Sequence, residues 1–180
     1  CGLLQGSLGT SYTHREDVAA VIGNRMPRTL LLGVMAGGNI FTGDIFGLSY
    51  RELDTDGRQF IFPTTTPVQF DPAAMHASLD LLMGLRPSAL YLTHYSEVRE
   101  VAAKAARLHG LIEKHVSIAR SERNAGDERY PRIRAGLVDL LLDEVRRFGC
   151  RLSPTRVLEL FATDLDLNAQ GLVVWLDTQS

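Results

Sequence analysis

The stretch Asn39-Ile-Phe-Thr-Gly-Asp-Ile-Phe-Gly47 decides how this chain is read. Ile40, Phe41 and Thr42 are strand formers, and the Gly-Asp pair that comes next sets a carboxylate directly beyond a strand end. Working backwards, Thr29-Leu-Leu-Leu-Gly-Val-Met35 reads as a short buried strand and Ala36 to Asn39 as a Gly-Gly turn. Asn39 to Thr42 is then the antiparallel return of a hairpin that ends at Gly43-Asp44. Gly43 permits a tight backbone path, so the acid can project into a cleft. The plain alternative for Asp44 is a turn residue bonded to its own backbone.

Working forwards, Ile45 to Phe70 mixes aromatics with Asp54, Asp56, Gly57, Pro63 and Pro67 and keeps no period, which predicts a long ordered loop with a short strand at Gln59 to Phe62. Asp71-Pro72 is a cap with proline in the first helical position, and Met75, Leu79, Leu82 and Met83 repeat at helical spacing up to Gly84. Arg86-Pro87 breaks that helix. Ala89-Leu-Tyr-Leu-Thr93 is then a short apolar strand that delivers His94 at its C-terminal end. From Glu97 the apolar residues Val98, Val101, Ala105, Leu108 and Ile112 mark a long amphipathic helix. Residues 96–180 read as wholly helical, with further helices at about Arg132 to Phe148, from the Ser153-Pro154 cap, and over roughly Asn168 to Leu176. Trp175 is expected to be buried there.

Composition narrows the function classes. Hydrophobic residues make up 45% and charged residues 22% of the 180, as in an ordinary globular chain. Lys and Arg against Asp and Glu number 6 and 8 over residues 1–95 and 13 and 13 over 96–180. Neither half carries the positive field that phosphate backbones demand, so no nucleic-acid partner is expected. No apolar run approaches the roughly 18 to 20 residues of a membrane helix, so no membrane span is expected either. Cys1 and Cys150 make no disulfide framework, which points to a reducing, cytoplasmic setting. A first residue that is Cys1 rather than Met reads as a fragment or a processed protein.

The pair Asp44 and His94 carries the chemistry. A hard carboxylate and an imidazole at two strand ends suit a zinc, iron or manganese site. His76, His109 and His115 read as structural or solvated, and His109 with Glu113 as a helix-surface pair four residues apart.

These residues resemble the metallo-β-lactamase-fold metallo-hydrolases. The likeness rests on Asn39 to Gly47, on Phe62-Pro-Thr-Thr-Thr-Pro67, on Phe70-Asp-Pro72 with its helix, and on Leu90-Tyr-Leu-Thr-His-Tyr95. It covers residues 29–100, and Leu167-Asn-Ala-Gln-Gly-Leu-Val-Val-Trp-Leu176 is similar to the helical tail of bacterial members. The resemblance implies an α/β fold, a partial αββα sandwich over residues 29–96 with an all-helical C-terminal region over 97–180, and an unassigned segment 1–28. It also implies two divalent metal ions, zinc first with iron or manganese as alternatives, Asp44 bridging them as metal ligand and catalytic residue, and His94 completing the second ion's shell. The substrate would be a small ester, thioester or lactam attacked by a metal-bound hydroxide. The family's His-x-His-x-Asp-His run is absent, and Asn24-Arg-Met-Pro-Arg28 stands where a further histidine is expected. His14 is the nearest candidate for a third ligand, against a plain loop histidine. With that cluster missing, the fragment reading is preferred and activity is expected to be impaired.

Phe46, Tyr50, Phe60 and Phe62 either wall the substrate pocket or form the core that holds the loop down. Two rival functions stay open. One is a di-iron oxidoreductase domain of flavodiiron type, which shares the pattern Gly43-Asp-Ile-Phe-Gly47. The other is a non-catalytic remnant acting as an interaction module. A homo-oligomer is compatible with the residues, which fix no oligomeric state.

Overall fold

The computed structural model describes residues 38–67, 70–93 and 97–179. The expected strand Thr29 to Met35, and with it the hairpin, lies outside them. So do His14 and His94.

β1 (Asn39–Thr42) and β2 (Ala89–Leu92) are adjacent and parallel, in the register Asn39↔Ala89 to Thr42↔Leu92. A parallel pair needs a crossover, and α1 (Pro72–Gly84) lies in it. Its start is as expected: the Asp71 carboxylate accepts a hydrogen bond from the Ala74 amide at 3.1 Å, with Pro72 in the first turn. β3 (Glu97–Val98) then returns antiparallel to β2, pairing Leu90 with Val98. This corrects the expectation that everything beyond residue 96 is helix. The long helix α2 (Val101–Ser121) starts later than Glu97 because Glu97 and Val98 belong to the sheet.

The expected strand at Gln59 to Phe62 is reduced to one bridge, in which Leu48 and Phe62 exchange backbone hydrogen bonds of 2.8 and 3.0 Å. Gln59 supplies a side chain where a strand would supply backbone. Its amide nitrogen donates to the Glu97 carbonyl, and its amide oxygen accepts from the Arg99 amide at 2.9 Å. The rest of the 44–70 stretch holds two short 3-10 turns, Asp44–Phe46 and Arg51–Leu53.

Three more helices complete the chain. α3 (Arg129–Phe148) is stopped by Gly149 at φ +88°, a left-handed residue that glycine adopts without a Cβ penalty. α4 (Pro154–Leu160) is capped by the Ser153 hydroxyl, which accepts from the Arg156 amide at 3.2 Å. α5 (Ala162–Thr178) begins six residues before the expected Asn168. The described residues thus form a mixed α/β, mainly helical structure with one small sheet of order β1-β2-β3. Among them no helix is long and apolar enough to cross a membrane.

Two apolar clusters hold it together. One lies between the sheet and the helices, with Phe46, Ile61, Leu79, Leu90, Val98 and Leu108 buried in it. The other gathers Phe60, Phe62, Phe148, Phe161 and Trp175 among α3, α4, α5 and the loop. α2 serves both, through Val101 to Ile112 on the first and Val116 and Ala119 on the second. Trp175 is buried, as expected, and packs edge-on against Phe70. Each such aromatic contributes roughly 1.5 to 3 kcal/mol of burial, so the loop and the helical tail are stabilised as one body.

His115 is fully buried beside Phe62, and its Nδ1 donates to the Leu111 carbonyl at 2.8 Å. Its Nε2 has no partner among the described residues. Burial therefore drives the imidazole down from 6.5 to about 4, against a smaller upward pull from the Leu111 carbonyl. The unfolded chain then binds more protons than the folded one between those values. Stability should be complete above pH 6.5, fall as pH drops towards 4, and level off below it, the gap amounting to roughly 3 kcal/mol. Urea unfolding of the chain against its His115→Leu variant across pH 4 to 7 should show this slope in the first and a flatter profile in the second.

Candidate active site at the strand ends

Parallel pairing brings the C-terminal ends of β1 and β2 to the same edge. Thr42 and Leu92 are partners, and Thr93 donates both its amide (3.0 Å) and its hydroxyl (2.9 Å) to the Thr42 carbonyl. Asp44 comes two residues after the first strand and His94 two residues after the second. Carboxyl ends of parallel strands are where open α/β sheets bind ligands. His94 and His14 are outside the described residues, so Asp44 is the expected ligand whose surroundings can be given.

Asp44 opens the 3-10 turn, exposed, while Phe46 two residues on is completely buried. The buried ring anchors the turn on which the exposed Asp44 stands. A further glycine that this turn requires is Gly47. Gly47 sits at φ +72°, and a Cβ there would lie 2.2 Å from the Phe62 carbonyl oxygen, whereas a Cβ on Gly43 would meet none of the described residues within 4 Å. The Gly-Asp-Ile-Phe-Gly pattern is therefore read physically as an exposed acid, a buried anchor and a close approach to the Phe62 backbone.

Beside Asp44 is an open cleft of about 150 Å³, lined by Asp44, Thr64, Thr66, Phe70, Asp71 and Ser78 among others. Its far wall is fixed twice. The Thr64 hydroxyl donates to the Asp44 carbonyl at 2.8 Å, and the next residue is locked onto α5. There the Asn168 side chain accepts from the Thr65 amide at 2.7 Å and donates to the Pro63 carbonyl at 3.0 Å, while the Thr65 hydroxyl donates to the Asn168 carbonyl at 3.0 Å. Thr65 and Asn168 are both buried. Gly171, one turn along α5, lets the loop touch the helix backbone: a Cβ at that position would fall 1.6 Å from the Thr65 carbonyl oxygen. Asn168 and Gly171 both belong to the Leu167 to Leu176 stretch, but nothing in their spacing names the loop they hold.

Phe46, Phe60 and Phe62 are core, not pocket wall, and the half-buried Tyr50 donates to Asp164 at 2.7 Å. Of the loop aromatics, Phe70 is the one that lines the cleft. The surface-pair reading of His109 with Glu113 is also corrected. Glu113 bonds His76 across the α1–α2 interface at 2.7 Å, and His109 faces Asp80 at 3.3 Å. A second open cleft, on the other side of the 51–58 turn, is lined by Glu52, Asp54, Asp56, Cys150 and Arg151. Burial pushes the Asp54 carboxyl up, partly offset by Arg51 and Lys104.

Among the described residues no three His, Cys, Asp or Glu side chains are placed to hold one metal ion. An exposed strand-end carboxylate is of the donor type a hard or borderline cation takes, so Asp44 fits as one ligand and needs partners from elsewhere. No family model, curated protein or solved structure matches the chain.

The lock on α5 generates a direct expectation. Gly171→Ala should cost roughly 3 kcal/mol through backbone overlap, lowering the melting temperature by on the order of 10 °C. Asn168→Ala should cost roughly 2 to 4 kcal/mol by orphaning the Thr65 amide and the Pro63 carbonyl. By contrast Gly110→Ala, on an exposed and unobstructed face of α2, should gain about 0.5 to 1 kcal/mol. Thermal and chemical denaturation of the three variants tests the set.

Proposed function

We propose that the chain carries part of a metal-dependent hydrolase site of the metallo-β-lactamase type, with Asp44 and His94 as ligands at the common edge of β1 and β2. The observation that supports this reading is the register: Thr42 pairs with Leu92, so the segments leading to Asp44 and to His94 leave the sheet side by side. In this reading β1 to β3 and the helices packed on them belong to an αββα sandwich, and α2 to α5 to the helical tail.

Divalent metal ions, zinc foremost, would supply an activated water and polarise an ester, thioester or lactam carbonyl. The chain's own residues do the rest. Asp44 offers an exposed carboxylate on a turn anchored by Phe46, Thr64 fixes that turn through the Asp44 carbonyl, and Thr64, Thr66 and Ser78 line the cleft where a small substrate would lie. The His-x-His-x-Asp-His cluster is absent from these 180 residues. Two trusted ligands, with His14 as a third, hold ions weakly, so little metal and little turnover are expected of this chain.

The missing His-x-His-x-Asp-His cluster is the sequence feature that favours one second reading, a non-catalytic interaction module. Metal content after dialysis, together with hydrolysis of a chromogenic lactam and an aryl thioester in added zinc, iron or manganese, tests both. The hydrolase reading expects less than one equivalent retained and slow, metal-dependent turnover that Asp44→Ala abolishes. Two ions held stoichiometrically would contradict the weak site. Turnover absent, or indifferent to metal and to Asp44→Ala, would leave the module. Activity with iron in a redox assay, and none with zinc, would point to the di-iron oxidoreductase.

A further inference from the structure

A pair of imidazoles lies between α1 and α2. The His76 and His109 rings are nearly coplanar, 8° apart, with centroids separated by 4.8 Å and their Nδ1 atoms by 2.6 Å. That centroid distance is close to the N···N distance plus a ring radius on either side. The rings therefore meet edge to edge, with the two Nδ1 atoms pointing at each other.

Each outer nitrogen faces a carboxylate. His76 Nε2 is 2.7 Å from Glu113 Oε1, and His109 Nε2 is 3.3 Å from Asp80 Oδ1. An ionised carboxylate only accepts, so His76 Nε2 carries its hydrogen and donates to Glu113, which leaves a lone pair on His76 Nδ1. That lone pair is turned inwards and accepts a hydrogen bond from His109 Nδ1 at 2.6 Å. In the absence of metal one proton thus lies between two imidazoles that are flanked by two carboxylates.

We propose that His76 and His109 form a two-imidazole transition-metal site joining α1 to α2, in which a zinc ion replaces the proton between the two Nδ1 atoms. A metal-bound histidine commonly donates its other ring N–H to a carboxylate, which orients the ring and raises its basicity. Glu113 and Asp80 stand in that position, one behind each ring. Zinc–nitrogen bonds of about 2.0 to 2.1 Å require the Nδ1 atoms to part to a little over 3 Å in a tetrahedral shell. Both side chains are partly exposed, at 24% and 31%, so small rotations suffice. No third His, Cys, Asp or Glu among the described residues is placed to join them, so water fills the remaining positions. The ion's two charges meet those of Asp80 and Glu113, and the His109 proton moves from Nδ1 to Nε2 beside Asp80.

The test is calorimetric titration of zinc chloride into the whole chain, with its His76→Gln, His109→Gln and Asp44→Ala variants, each checked for native circular dichroism. One equivalent of zinc should be weakened at least tenfold in either histidine variant and retained in Asp44→Ala, which separates this site from the strand-end one. Long-range nitrogen–proton correlation spectra should show Nδ1 as the coordinated atom of both rings and Nε2 as protonated. Zinc binding unchanged in His76→Gln and His109→Gln, or coordination through Nε2, would overturn the proposal. Two variants on different helices keep it testable should one of them fail to fold.

Discussion

The hydrogen-bonded lock of Pro63 to Thr65 onto α5 is the constraint on which the rest of the candidate site depends. A loop of this length, without a ladder of its own, exposes backbone groups that must be satisfied somewhere if it is to be buried. Asn168 satisfies two of them with one side chain, and Gly171 clears the space for the Thr65 carbonyl. From there rigidity passes back along the chain. Phe62 is bridged to Leu48, Gly47 lies against the Phe62 carbonyl, and Thr64 holds the carbonyl of Asp44. A residue near the C-terminus thus governs where a carboxylate more than a hundred positions earlier is placed. The tail is part of the site's scaffold and not an appendage to it.

Local signals in the sequence were legible where the local physics is strong. Asp71-Pro72 and Ser153-Pro154 start helices, Gly149 ends one, and Ala89 to Leu92 is a strand, each for a reason that acts within a few residues. The features that escaped depend on distant partners. Glu97 and Val98 fit the period of the helix immediately C-terminal to them, yet β2 and the Gln59 side chain claim them for the sheet. Gln59 to Phe62 has strand composition, but Pro63 comes next and the Gln59 amide replaces backbone pairing, so one bridge is all that forms.

The candidate site was legible in the same uneven way. The strand-end position of Asp44 could be read from its neighbours, but the need for Gly47 could not, because it shows only once the Phe62 carbonyl is placed. The loop aromatics had two readings, and packing against α3, α4 and α5 assigns Phe60 and Phe62 to the core. The histidines show the limit most clearly. Spacing paired His109 with Glu113 on one helix, while the fold pairs each with a residue of the other helix, which one-dimensional spacing cannot express. His115, read as structural or solvated, is on the same helix and fully buried.

The central claim is that the shared edge of β1 and β2 is a metal-binding edge served by Asp44 and His94. It is tested most directly by anomalous diffraction at the zinc absorption edge from crystals of the chain equilibrated with zinc. The expected result is an anomalous peak within bonding distance of both an Asp44 carboxylate oxygen and a His94 ring nitrogen, in the cleft beside Thr64. A zinc-bearing crystal with no peak at that edge, or with Asp44 and His94 on opposite sides of the sheet, would contradict it.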